Sequence, residues 1–212
     1  MTESNSKSGL YIANTIALVT LEAFEEILGV GGVKTILNRA KLPNLINNYP
    51  PDNLDKTFDF ADYASLMIAL EDIYGIRGGR IMGIRVGRAT RSHMYKKFGP
   101  MLGVTNLAFK ILPLSLKLRM AVNALSKAFN MVTDQQTEVV EREKYFYYVV
   151  KQCPVCWGRH DAETPVCFTT VGLLKGGLNW VSGGKEFDVK EVLCHAKGDK
   201  YCVFRVLKNP IG

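Results

Sequence analysis

Five cysteines, at positions 153, 156, 167, 194 and 202, all fall within the last 60 residues of a 212-residue chain. Their odd number argues against a disulfide framework, and the Cys153-Pro-Val-Cys156 spacing points to metal or redox chemistry. A lone free cysteine is ordinarily a small buried hydrophobe, but five in one short segment ask for more than packing. Thiolate sulfur favours zinc and similar cations, and a structural zinc site takes four ligands.

The spacing predicts two strands, 185–194 and 201–207, joined by His195-Ala-Lys-Gly-Asp-Lys200. A hairpin turning at Gly198 sets Cys194 opposite Cys202, and opposed Cβ atoms lie roughly 4.5–5.5 Å apart, close enough to share one ion. Cys167 stands at the start of a helix predicted over 166–181, where free backbone N–H groups and the helix dipole favour a thiolate. Three thiolates converge if that helix start packs on the hairpin. On spacing alone the fourth ligand is open among Glu191, His195, Cys153 and Cys156. In a regular strand Glu191 points to the face opposite Cys194, so its use requires a bulge or a strand end.

The elements that must position these residues divide into a helical half and a strand-rich half. Apolar residues at helical spacing cover 12–28, with Gly29 as a stop, and a short helix follows over 32–40. Pro43, Pro50 and Pro51 mark 42–59 as a loop. Further helices are predicted over 60–74, 76–98 and 113–132. The period then changes to strands over 137–142 and 145–152, and Tyr145–Val150, apolar on both faces, reads as a central strand. The expected fold class is α+β, a helical N-terminal half packed on an antiparallel sheet with one inserted helix. Residues 1–9 read as a frayed polar terminus and 10–212 as a single domain, helical over 10–132 and sheet over 137–208.

With 47% apolar and 22% charged residues, the chain is neither disordered nor fibrous. Its +7 charge is local. No acidic residue occurs between Asp72 and Asp134, while 11 of the 27 basic residues do, so the other 16 face 20 acidic ones. On the helix over 76–98, Arg77, Arg80, Arg88 and Arg91 fall within an arc of about 80° opposite a row of glycines at 75, 79, 83 and 87. Each such glycine weakens a helix by about 1 kcal/mol relative to alanine, so the row implies close approach of a neighbouring backbone. The segment GIRGGRIMG matches neither the dinucleotide fingerprint nor the P-loop. The arginine face suits an anionic ligand, a partner protein or plain solvation; nucleic acid is disfavoured because aromatics are not interleaved with it. No apolar run reaches ~20 residues and no export signal precedes the helices, which leaves a cytoplasmic location as the default.

The run Glu191-Val-Leu-Cys194-His-Ala-Lys-Gly198-Asp199-Lys-Tyr-Cys202-Val-Phe204, with Pro165-Val-Cys167 and Val171-Gly172-Leu-Leu before it, resembles the 4-vinyl reductase domain family. That family includes small hydrocarbon-binding proteins, a protein linked to bacteriochlorophyll vinyl reduction, and the sensor domains of phenol- and xylene-responsive regulators. The resemblance is densest from Pro165 onward and looser back to Leu10. It implies a fold shared with TRAPP vesicle-tethering subunits.

In the phenol sensors a zinc is held by Cys, Glu, Cys and Cys, and their E-x2-C-x7-C spacing is matched by Glu191, Cys194 and Cys202. Cys167 corresponds to the first ligand. The resemblance therefore favours Glu191 over His195 and implies a structural zinc held by Cys167, Glu191, Cys194 and Cys202. Cys153 and Cys156 have no counterpart in those sensors. They replace Glu191, bind a second metal or an iron–sulfur cluster, or stand by as reduced thiols. The resemblance also implies an apolar cavity for a small hydrophobic or aromatic ligand, a hydrocarbon or a tetrapyrrole, with Phe109, Met120, Tyr145, Tyr147, Phe168 and Trp180 as candidate lining. The sensors' hydroxyl-binding His and Trp have no equivalent, since His93, His160 and His195 lie elsewhere. A homodimer through the N-terminal helices is expected, with any signalling routed through a partner protein. Two rival functions are an enzyme or accessory of bacteriochlorophyll vinyl reduction, for which no hydride source is visible, and a scaffold with a vestigial pocket.

Overall fold

The computed structural model describes residues 7–98, 111–160 and 162–211. Two short strands open the fold. Tyr11–Ala13 (β1) pairs antiparallel with Lys56–Asp59 (β2), Tyr11 opposite Asp59. Both fall where the sequence predicts a helix start and a loop, because three or four residues carry no readable period. Side chains distant in sequence hold them: the Asp134 carboxylate accepts the Tyr11 N–H at 2.9 Å, and Asp59 accepts N–H groups of Ser8, Gly9 and Ala61. Burial alone would raise the Asp59 carboxyl, but these backbone donors hold it below its usual range. Of the frayed terminus expected over 1–9, residues 1–6 lie outside the described residues, and Ser8 and Gly9 are tied down by Asp59.

Helix α1 spans Asn14–Arg39 and α2 spans Phe60–Phe98, and each contains one non-helical residue. Gly29 (φ 72°) and Gly75 (φ 69°) occupy a left-handed region that a side chain disfavours. The expected stops at these positions are therefore real breaks. α3 (Leu114–Val132) leads into β3 (Thr137–Glu141) and β4 (Tyr145–Val150). After α4 (Phe168–Val181) come β5 (Glu186–Leu193), a single 3-10 turn at His195–Lys197, and β6 (Cys202–Ile211). All pairings in the four-stranded sheet are antiparallel, in the order β3-β4-β6-β5, so β4 is an interior strand as expected.

The most extensive contact between elements joins α2 to α4, the helix inserted between sheet strands. Its glycines meet backbone. A Cβ on Gly87 would lie 2.0 Å from the Thr169 carbonyl oxygen, and one on Gly172 would lie 2.2 Å from the Ile84 carbonyl oxygen. Gly83 likewise faces Phe168. The helices approach more closely than any side chain allows, which accounts for the glycine row.

The arginines do not form a free docking face. Arg88 makes a paired contact with Glu186 (2.6 and 3.1 Å), Arg91 lies 4.6 Å over the Trp180 ring, and Arg80 lies 5.5 Å over Phe168. Arg77 is exposed. Three of the four arginines of the expected basic face thus clasp α4 and β5 from the rim of the glycine contact. The helical projection gave the correct arc, but it carried no information on which element would lie against it.

Gly87→Ala is expected to lower the thermal midpoint by several degrees, since overpacking costs about 1–3 kcal/mol or more. Gly177→Ala, on α4 with nothing within 4 Å of the added Cβ, is expected to leave it unchanged or raise it. Equal effects of the two in differential scanning calorimetry would contradict this packing.

Candidate metal centre

All five cysteines are buried and free, and they meet at one point. β6 begins at Cys202, and the turn before it carries Cys194. The pairing of Leu193 with Val203 continues into Cys194 and Cys202, as the hairpin register predicts. Glu191 pairs with Phe204, so β5 advances two residues where β6 advances one. Val192 is the extra residue of a β-bulge, and it returns Glu191 to the face that Cys194 occupies. Cys167 caps the N-terminus of α4, where the glycine contact with α2 holds it. Cys153 and Cys156 arrive on the loop that leaves β4.

Sulfur separations are 3.6 Å for Cys153–Cys167, 3.5 Å for Cys156–Cys202, 3.8 Å for Cys167–Cys202 and 4.0 Å for Cys167–Cys194. Metal–sulfur bonds of about 2.3 Å in a tetrahedron put ligand sulfurs about 3.8 Å apart, so these are the edges a tetrahedral thiolate site needs. Two four-residue sets have ligand atoms all within 4.8 Å of one another: Cys153, Cys156, Cys167 and Cys202, and Cys167, Glu191, Cys194 and Cys202. Either set could bind a metal ion. His195 belongs to neither; its ring is exposed, while its backbone N–H donates to Cys202 Sγ at 3.3 Å. His160 is exposed as well.

The electrostatics of the cluster favour a cation. Burial, reinforced by Cys194, pushes the Glu191 carboxyl up to about 9. Burial also raises the Cys167 thiol well above its usual value, so the expected thiolate at the helix start does not follow from the dipole alone. Glu191 Oε2 accepts the Cys167 N–H at 2.7 Å, while its buried Oε1 has no hydrogen-bond partner among the described residues. Such an atom is costly unless something positive meets it.

Supporting groups fix the loops. The Cys194 N–H donates to Asp199 at 2.8 Å, and Arg159 forms a two-pronged pair with Glu71 of α2 at 2.8 Å on each side. Trp157 packs edge-on against Phe60, with ring centres 6.0 Å apart. The Arg159–Glu71 pair was not legible in the sequence because the partners are 88 residues apart.

Beside the cluster lies a small cavity of about 40 Å³, bordered among others by Tyr63, Thr90, Leu125, Tyr148, Pro154, Val155 and Thr169. Pro154 and Val155 lie between Cys153 and Cys156, and Thr169 follows Cys167 by two residues, so the cavity wall and the ligand loops share backbone. None of the expected lining residues borders it. Phe109 lies outside the described residues. Met120 is exposed on α3, Tyr145 and Tyr147 occupy the other face of β4 from Tyr148, Phe168 sits under Arg80, and Trp180 stacks with Tyr95. Strand alternation and helix rotation put these aromatics at the surface of the layer. The hydroxyl groups that do line the cavity carry no aromatic signal in the sequence.

With this geometry in hand, comparison with known families is informative. A family model of the 4-vinyl reductase domain matches residues 146–208. This stretch runs from β4 to β6 and includes all five cysteines, so the matched segment and the metal centre coincide. The resemblance read from the C-terminal motif is therefore borne out. No curated protein matches the chain.

Among solved structures, the unliganded Fe(II) H-NOX protein from K. algicida is similar at TM-score 0.58 and 14% identity, covering 93% of this chain and 97% of that one. An oxygen-binding H-NOX domain related to soluble guanylate cyclases gives TM-score 0.56 at 16% identity, with coverage of 95% and 97%. An H-NOX protein from S. oneidensis in the Fe(II)NO state gives 0.54 at 10%, with 92% and 98%. The α+β architecture of the whole chain, with the 4-vinyl reductase segment as its sheet half, is thus that of H-NOX domains.

Glu71→Gln is expected to destabilise the protein by roughly 2 kcal/mol, because it leaves the Arg159 guanidinium half-buried without its counter-charge. Chemical denaturation reads this directly. Glu71→Leu combined with Arg159→Met should recover most of the loss.

Proposed function

We propose that the protein is a small-ligand binding module whose sheet, ligand loops and inserted helix are stapled together by a structural metal. Zinc is the ion that this thiolate-rich, tetrahedrally spaced donor set suits best. The observation that carries the reading is the convergence of Cys167, Glu191, Cys194 and Cys202 through a bulge that re-aims Glu191. A zinc with four protein ligands keeps no open position, so its role is structural.

The ligand is small and predominantly apolar. The cavity of about 40 Å³ is well below the ~300 Å³ of a drug-sized site, so an occupant larger than a few heavy atoms must spread α3 from α4. Of the two expected ligand classes, the cavity size favours a hydrocarbon over a tetrapyrrole. The likeness to H-NOX proteins supports the fold, while the cavity here has no imidazole or thiol in its lining to ligate a haem iron. Scaffolding remains as a second reading, and the near-complete packing of the core favours it. Exposed Ile73, Tyr74, Ile76 and Ile81 around the Gly75 break support dimerisation through α2. Among the described residues no helix is long and apolar enough to cross a membrane.

Native mass spectrometry of protein purified without chelators reports metal, adduct and oligomer together. A zinc-bearing dimer is expected. Toluene should raise the thermal midpoint of the wild type by about 2 °C or more but not that of Leu125→Trp, which fills the cavity. A metal-loaded protein with no adduct and no toluene shift would favour the scaffold. Deletion of Val192 restores strand alternation and turns Glu191 away; zinc affinity in a competitive chelator titration should fall roughly tenfold or more.

A further inference from the structure

The two ligand sets are not alternatives: they share Cys167 and Cys202, whose sulfurs lie 3.8 Å apart, and the remaining donors flank that shared edge in two pairs. A single tetrahedral ion uses four of the six donors. It leaves behind either Cys153 and Cys156, or Glu191 and Cys194, as buried donors with no cation. Two ions across the shared edge use all six.

We infer that this site holds a dinuclear thiolate-bridged centre, in which Cys167 and Cys202 bridge two thiophilic divalent cations, Cys153 and Cys156 complete one, and Glu191 and Cys194 complete the other. Each cation is four-coordinate, one by four sulfurs and one by three sulfurs and a carboxylate oxygen. This rests on the metal-stapled reading above and extends it by a second ion.

Three observations carry it. The distances from Cys153 to Cys167 and from Cys156 to Cys202, 3.6 and 3.5 Å, are tetrahedral edges of the first set, and the 4.0 Å from Cys167 to Cys194 is an edge of the second. The unpartnered, buried Glu191 Oε1 belongs to the second set, so filling the first set alone leaves it unmet. Charge points the same way. Five thiolates and a carboxylate carry six negative charges, of which one divalent ion offsets two and a pair offsets four, in a place that water does not reach. The pair also has a structural consequence: it clamps Pro154 and Val155, and with them one wall of the cavity, to β6 and α4.

The decisive measurement is metal content per chain by inductively coupled plasma mass spectrometry on full-length protein purified without chelators, with acid-labile sulfide assayed in parallel. A value near two zinc per chain without sulfide is expected. In the apoprotein, cobalt(II) should titrate to two equivalents, and its paramagnetic resonance signal should grow to the first equivalent and shrink towards the second as the bridged ions couple. Cys153→Ser/Cys156→Ser should bind one equivalent and show no such coupling. If that variant fails to fold, the wild-type cobalt titration stands as the test. One metal per chain with uncoupled cobalt would overturn the pair and leave the single structural ion intact. Iron with labile sulfide would overturn the thiolate bridge, and less than about 0.2 metal per chain would overturn both readings.

Discussion

The contact on which the rest of the structure depends is backbone against backbone, where α2 and α4 touch at Gly87 and Gly172. Helices that close have little freedom to slide, because each turn of one is seated against carbonyl groups of the other. The arginines on the rim then close the junction: Arg88 with Glu186, Arg91 on Trp180 and Arg80 on Phe168. The first turn of α4 is thereby fixed against the helical half, and Cys167 at its cap becomes the one cysteine anchored to the helices rather than to the sheet.

The other donors reach Cys167 from the sheet side, and each by a local device. The tight turn through Gly198 sets Cys194 beside Cys202, the Val192 bulge turns Glu191 inward, and the Arg159–Glu71 pair draws the loop of Cys153 and Cys156 towards α2. The centre therefore joins the two halves of the fold at the point where α4 crosses between them. A cation there opposes the desolvation of buried thiols and carboxylate, which otherwise drives Glu191 towards its neutral form. The cavity shares its wall with the same loops, so occupancy of one bears mechanically on the other.

Much of this was legible in the chain because it rests on local chemistry. The helix breaks at Gly29 and Gly75 follow from residues that tolerate positive φ, the interior strand from Tyr145–Val150, and the pairing of Cys194 with Cys202 from the turn between them. The need for a bulge at Glu191 followed from strand alternation. What failed was any inference about which surface meets which. Aromatics were assigned to a cavity by type, yet Tyr145, Tyr147 and Trp180 face away from it, and threonines with Tyr63 and Tyr148 surround it. Arginines were assigned to solvent or a partner, yet most of them hold α4 and β5.

By itself the sequence determined the element types, the hairpin register and the donors available, since these depend on backbone preferences and on spacings of a few residues. The tertiary structure decided how many of those donors share one point, because that depends on contacts spanning tens of residues: the glycine approach that seats Cys167, and the pair between Glu71 and Arg159 that seats the loop of Cys153 and Cys156. The five clustered cysteines signalled metal chemistry from the outset. Only their three-dimensional arrangement showed that two overlapping ligand sets share a single edge.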